Sequence, residues 1–242
     1  SGLDEQVNDH LTSALNSLVK VTFTLSKTSG TLYVGGTEKL TVDTNLAGNV
    51  TWTSSNTKVA TVADGKVTAK AAGTARITAT VGGKTATYTV TVKKPSISAT
   101  VGKVYVGKTA KVQVKKYGTT AKVSFKSSNT KIATVNKSGV VTGKKAGTVK
   151  ITVTAGKLTK TVTVKVAKPS FTLVKSSASI KKGKKVTIKV KAAPSSKVTY
   201  KTSNKSVATV SSKGVVTGKK KGTAKITVKC NGITRTFKVT VK

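Results

Sequence analysis

Acid–base, metal and nucleophilic chemistry most often draws on imidazoles, carboxylates or thiols brought close together. This chain of 242 residues holds six Asp and Glu, one histidine and one cysteine. The histidine is His10, and the carboxylates are Asp4, Glu5, Asp9, Glu38, Asp43 and Asp64. A general acid–base pair, a zinc site or a calcium cage is assembled from two or more such groups. Beyond Asp64 there is neither a side-chain carboxylate nor an imidazole, so a histidine triad, a carboxylate dyad and a Lys–Asn–Glu isopeptide site are excluded there. Glu38, Asp43 and Asp64 are the one acidic set that could converge outside the first twenty residues. Asp64 precedes Gly65 in a turn signal, and the other two read as solvated side chains. Cys230 stands just ahead of Asn231-Gly232, where the equivalent residues are Val81 and Ala155, and so reads as a packing position rather than a reactive thiol. The expectation is a protein that is not an enzyme, with no catalytic residue, no metal site and no cofactor.

The abundant chemical group is the ammonium. Lys and Arg number 45, giving a net charge of +39. Residues 1–94 hold ten basic and six acidic groups, whereas residues 95–242 hold thirty-five basic groups and no acidic one. Many lysines alternate with apolar residues, as outward-facing guards of strand edges do. That explains their spacing but not the loss of acids, since ordinary surfaces mix both signs. Lys144-Lys145 and Lys219-Lys220-Lys221 fall in equivalent loops, with Ala69-Lys70-Ala71 a weaker counterpart. These five lysines are the candidate polyanion-binding residues. Arginine occurs only at positions 76 and 235, and aromatics make up 4% of the chain. Base readout and stacking on single strands favour arginine and exposed aromatics. The expected partner is therefore an anionic cell-wall polymer or glycan, not a specific nucleic-acid sequence.

The elements that must carry these loops are set by a repeat. Trp52-Thr-Ser-Ser-Asn-Thr-Lys-Val-Ala-Thr-Val returns from Phe125 as F-K-S-S-N-T-K-I-A-T-V and from Tyr200 as Y-K-T-S-N-K-S-V-A-T-V. Asn56, Asn129 and Asn204 lie 73 and 75 residues apart, a period that signals a tandem array. In each copy the aromatic ends a β-prone run against a Ser/Thr-Ser-Asn turn, and reads as a core residue. The following V-A-T-V or I-A-T-V stops at Asp64-Gly65, Ser138-Gly139 or Lys213-Gly214, where glycine supplies the positive φ of a tight hairpin. After Gly73, Gly147 and Gly222 the alternation is strict. Ala75, Ile77 and Ala79 point one way and Arg76 the other, with Val149-Ile151-Val153 and Ala224-Ile226-Val228 repeating the plan. Period two with one apolar face specifies half-buried antiparallel strands.

The order aromatic, S-S-N, V-A-T-V, G-x-V-T-G and A-G-T-A-x-I-T-V resembles the bacterial immunoglobulin-like group 2 family, in three copies covering about nine tenths of the chain. The resemblance implies an all-β fold of three tandem small Ig-like β-sandwiches with Greek-key connections. It also implies adhesins and other surface proteins of bacteria, or decoration and tail proteins of bacteriophages. It carries no shared catalytic residue or cofactor. The expected domains are 21–94, 95–168 and 169–242, joined at Lys94-Pro95 and Lys168-Pro169 into an elongated rod, because short proline joints stiffen a chain. The last alternating run reaches Val241, so any surface anchor is expected at the N-terminal end or in a partner.

Residues 1–20 stand outside the array. Leu3, Val7, Leu11, Ala14, Leu15 and Leu18 recur at helical spacing and predict a short amphipathic α-helix. It is too polar to span a membrane. Val7, Leu11, Ala14 and Leu18 form an a/d-like seam suited to oligomerisation or docking. A helix packed on the first sandwich, or the end of an upstream domain, fits the same stripe. Two functional readings lead, ahead of a third, a non-catalytic appendage of a larger secreted enzyme. One is a surface-exposed, non-enzymatic adhesion or spacer protein, extracellular or on the bacterial cell surface. The alternative is a virion component docked by its N-terminal helix, with the Ig-like domains projecting to contact a host.

Overall fold

The computed structural model describes residues 2–242, save the side chains of Asn16 and Ser17. Ser1, the first residue of the expected helix, lies outside them. The helix runs Gly2–Leu18 and ends before Val19. Asp4 and Glu5 in its first turn favour the positive end of the helix dipole, and its last turn has no basic residue. Everything after it is strand, turn and loop, so the expected all-β fold with one N-terminal helix is observed.

The chain divides into two compact units. One holds the chain up to Ser98 with Val114–Lys122 and Ala155–Leu158. The other holds Ala99–Gln113, Val123–Thr154 and Thr159–Lys242. The first repeat lies in the first unit and the third repeat in the second, while the segments of the middle repeat are shared out between them.

In the first repeat the long hairpin Gly73–Val81/Lys84–Lys93 forms the centre of a four-stranded sheet. Thr51–Ser54 pairs antiparallel on one side, and Ser29–Tyr33 pairs parallel on the other. Facing it are a three-stranded sheet, Thr37–Lys39 with Lys66–Ala69 and Ala60–Ala63, and the pair Phe23–Leu25 with Val42–Thr44. The third repeat has the same plan. Ser177–Ile180, Ile233–Val241, Gly222–Cys230 and Thr199–Thr202 form the larger sheet, and Lys185–Thr187, Val215–Gly218 and Ala208–Val210 the smaller one. Within the second unit the middle repeat shows the matching three strands Thr109–Lys111, Val140–Gly143 and Ala133–Val135.

Alternation decides which residues are buried. In the first hairpin Ala75, Ile77, Ala79, Tyr88 and Val90 are buried, while Arg76 and the threonines between them face outward. In the third, Ala224, Ile226, Val228, Phe237 and Val239 repeat the face, with Lys225 and Lys238 outside. At the hairpin tip Asn231 (φ 53°) and Gly232 (φ 71°) adopt the left-handed conformation that a two-residue turn requires. Cys230 is buried, as are Val81 and Ala155, in agreement with a packing role.

The repeated aromatics occupy a different place from the one expected. Trp52, Phe125 and Tyr200 are half-buried and lie over the turn glycines, where a Cβ on Gly65, Gly139 or Gly214 would meet the ring at 3.1, 2.7 or 2.7 Å. They cover a positive-φ turn at the core margin. Among the described residues the fully buried aromatic rings are Tyr88 in the first repeat and Phe171 in the third, with Phe237 at the position equivalent to Tyr88 almost as enclosed. The ring over each turn occupies the space a Cβ would need on the turn residue, which is why glycine and aromatic recur together.

Tyr88 is an unusual core residue, because its hydroxyl is buried with no hydrogen-bond partner. Burial pushes its phenol pKa up. The hydroxyl is accommodated by Gly30, whose absent Cβ would collide with it. The third repeat has Phe237 and Ala178 at the corresponding positions. A buried unsatisfied hydroxyl costs about 1–3 kcal/mol. Tyr88→Phe should therefore stabilise the first repeat by about 1 kcal/mol. Gly30→Ala should destabilise it, and the same change should be tolerated in the Tyr88→Phe background. The single tryptophan, Trp52, reports unfolding of this repeat by fluorescence in denaturant. Strict additivity of the two substitutions would show that Gly30 does not make room for the hydroxyl.

Candidate functional site

The most strongly repeated sequence, Ser/Thr-Ser-Asn, is consumed by the backbone. Ser54 Oγ donates to the Ala60 carbonyl at 2.6 Å, and Ser55 Oγ accepts from the Arg76 N–H at 2.8 Å. Asn56 Oδ1 accepts from the Lys58 N–H at 3.1 Å. The middle repeat uses Ser127, Ser128 and Asn129 in the same way, and the third uses Thr202, Ser203 and Asn204. Side chains that close local turns are held by their own chain, so this motif forms a structural joint.

The lysine loops are built on that joint. The N–H groups of Lys144 and Lys145 both bind the Ile132 carbonyl, at 2.8 and 3.2 Å. Lys219 and Lys220 bind Val207 at the same two distances, and Lys70 and Ala71 bind Val59 likewise. The next glycine then crosses directly above this residue. A Cβ on Gly73, Gly147 or Gly222 would approach the Val59, Ile132 or Val207 side chain to 2.8–3.1 Å. The backbone is thus pinned from below, and the side chains of Lys144, Lys145, Lys219, Lys220 and Lys221 are all exposed. Each cluster is local to its own repeat. The loop of the first repeat carries one lysine, Lys70, followed by Ala71 and Ala72.

Among the described residues the one salt bridge is Lys27–Glu38, in the first repeat. Glu38 is therefore engaged rather than simply solvated, and its hydrogen bond and charge raise the Lys27 pKa. Asp64 lies in its turn at φ 47°, with its carbonyl accepting from Lys39 Nζ, and Asp43 is exposed. No group of three His, Cys, Asp or Glu able to hold a metal occurs among the described residues. On the helix, Val7, Leu11 and Leu18 are 57%, 57% and 79% exposed. Leu3, Gln6, Val7, His10, Leu11 and Ala14 line a shallow groove on its surface. The seam residues Val7, Leu11 and Ala14 are brought together there, whereas Leu18 is not among the lining.

One feature escaped the sequence reading, an apolar cleft in the third repeat lined by Val174, Val186 and Phe237 among others. Its signal was the loss of polar residues at positions where the first repeat has Ser26, Glu38 and Tyr88.

These two-sheet repeats define a tandem of immunoglobulin-like β-sandwich domains. The chain belongs to the family described as bacterial Ig-like domain (group 2), which matches residues 21–92, 91–166 and 167–241. Among solved structures it is similar to the S-layer protein rSbsC(31-844), at 22% identity and a TM-score of 0.40, over 93% of this chain and 40% of that one. It is also similar to domains 4-9 of surface layer protein SbsC, at 25% identity and a TM-score of 0.39, over 92% and 47%. A third is the I9-I11 tandem from titin, at 13% identity and a TM-score of 0.37, over 92% and 99%. The chain spans about two fifths of the length of the first of these. No curated protein matches it. Among the described residues no helix is long and apolar enough to cross a membrane.

The hydrogen-bonding pattern makes Asn129 a test of the structural joint. Asn129→Ala removes the acceptor for the Lys131 N–H and should lower stability by about 1 kcal/mol in calorimetry. Binding of anionic polymers should be unchanged. Lost binding at unchanged stability would instead mark Asn129 as a ligand contact.

Proposed function

We propose that this chain is a non-enzymatic, surface-exposed spacer and adhesion protein that binds anionic cell-wall polymers or glycans through its lysines. The observation that carries the reading is the unneutralised charge of residues 95–242, thirty-five basic side chains with no acidic one. The lysines of the two loop clusters are exposed, and their own repeats hold no side-chain carboxylate to pair with them. Exposed charges are screened within about 8 Å at physiological salt, so each contact is weak and many act together. Counterion release then makes binding steeply salt-dependent, as it does for nucleic acids. Membership of the bacterial Ig-like family and the dearth of groups able to do chemistry support a binding role outside the cell.

A second reading, a virion component docked by its N-terminal helix, is favoured by the exposure of Leu3, Val7, Leu11 and Leu18. In that setting the same lysines meet the host surface.

The test uses the full chain on immobilised poly(glycerol phosphate) and on a neutral dextran. Binding to the polyanion should fall steeply with salt, and the chain should not be retained on dextran. Changing Lys144, Lys145, Lys219, Lys220 and Lys221 to Gln should weaken binding more than the same change at Lys150, Lys165, Lys225, Lys229 and Lys238 on the strands. Five lost contacts should reduce the slope of log K against log salt by about 3–4. Salt-insensitive binding, or equal retention on dextran, would limit the lysines to solubility and edge protection.

A further inference from the structure

The first and third repeats can be compared residue by residue at one edge of the sandwich. Glu38 faces Val67 as Val186 faces Val216, and Tyr88 faces Ile77 as Phe237 faces Ile226. The N–H of Ser26 binds the Thr41 carbonyl as that of Val174 binds the Lys189 carbonyl, both at 2.9 Å. In the first repeat this place is satisfied internally. Lys27 pairs with Glu38, Ser26 Oγ accepts from the Thr41 N–H at 3.0 Å, and Tyr88 fills the floor. In the third repeat serine, glutamate and tyrosine become Val174, Val186 and Phe237. The lysine is kept as Lys175, and a second lysine, Lys189, stands where the first repeat has Thr41. What results is a cavity of about 440 Å³ lined by Val174, Lys175, Ala178, Val186, Lys189 and Phe237 with two threonine and serine neighbours. Val174 is 52% exposed. The cleft is an apolar floor with two cations at its rim and no carboxylate to meet them.

We propose that this cleft receives the N-terminal helix of a second copy of the chain. A side chain of the Leu3–Val7–Leu11 stripe enters the apolar floor, and Asp4, Glu5 or Asp9 takes beside Lys175 the place that Glu38 holds beside Lys27. The chemistry of the helix matches that of the cleft. Gly2–Leu18 contains three of the six carboxylates of the chain and no lysine or arginine. Of the other three, Glu38 is engaged, Asp64 lies in a turn and Asp43 in a strand. Leu3, Val7 and Leu11 are 77%, 57% and 57% exposed, and Asp4 flanks Val7 at i,i+3 spacing on the helix surface. Two such helices paired in parallel would set like charges together, whereas the cleft offers them lysines. In the first repeat the Lys27–Glu38 pair shows a lysine at the position of Lys175 reaching a carboxylate at the position of Val186.

Helix and cleft are different surfaces, so two copies can exchange them reciprocally in a closed dimer, or each can serve a different neighbour in a longer assembly. Mass should rise above that of a single chain as protein concentration rises, and salt should oppose the rise.

The test is sedimentation of the full chain across a wide concentration range under reducing conditions, with circular dichroism to check folding. Wild type should self-associate. Val186→Glu supplies in cis the carboxylate that Glu38 provides in the first repeat, and should weaken association about tenfold or more. Lys175→Glu with Lys189→Glu should do the same, and so should Asp4→Lys with Glu5→Lys and Asp9→Lys. Combining the last two sets in one chain reverses both sides of the contact and should restore association. A wild type that stays monomeric overturns the proposal. So does association that survives Val186→Glu, or a charge-reversed pair that fails to recover while both sets remain folded.

Discussion

In each sandwich every second side chain of a long hairpin must leave water, and the sheets are too small to enclose a charge. Among the described residues no charged residue is buried in the cores, and the one buried side-chain hydroxyl without a hydrogen-bond partner is that of Tyr88. A buried ion or unpaired polar group costs several times what one extra methyl group gains. The inner face is therefore held to Ala, Val, Ile and an aromatic, and the outer face is left free to vary. Lysine on the outer face follows from the same alternation that builds the core. The cationic surface and the stability of the domains thus rest on one pattern, but only the inner half of it is constrained by folding. The absence of acids across residues 95–242 lies on the unconstrained half, which is where selection for binding can act.

The repeats also show how one scaffold divides its residues between structure and function. Ser/Thr-Ser-Asn is the most recognisable signature in the chain, and its side chains all close turns in the backbone. The loop resting on it is fixed by two hydrogen bonds to a single carbonyl in all three repeats, yet its side chains change from one lysine to two or three. A rigid support with a variable tip suits a contact surface, because ordering entropy has already been lost on folding. The edge near Tyr88 follows the same logic in reverse. Where the first repeat closes on itself through Lys27 and Glu38, the third leaves an apolar opening with its lysines unpaired.

Much of this was legible without coordinates, and the reason is local. Alternation, hairpin glycines and a period near 74 are properties of neighbouring residues, and they determined an all-β tandem, the two faces of each strand and the exposure of the lysine loops. The scarcity of carboxylates and imidazoles is a property of composition, and no side chain of either kind lies beyond Asp64. Tertiary structure alone decided what depended on segments far apart in the chain. It moved Trp52, Phe125 and Tyr200 from the centre to a cover over Gly65, Gly139 and Gly214, because only the folded sheets show which ring lies above which turn. It placed Tyr88 against Gly30, paired Lys27 with Glu38, and opened the cleft between Val174, Val186 and Phe237. Each of these joins strands that no periodicity relates. The distances between their partners are set by sheet register and packing, which a linear pattern does not contain.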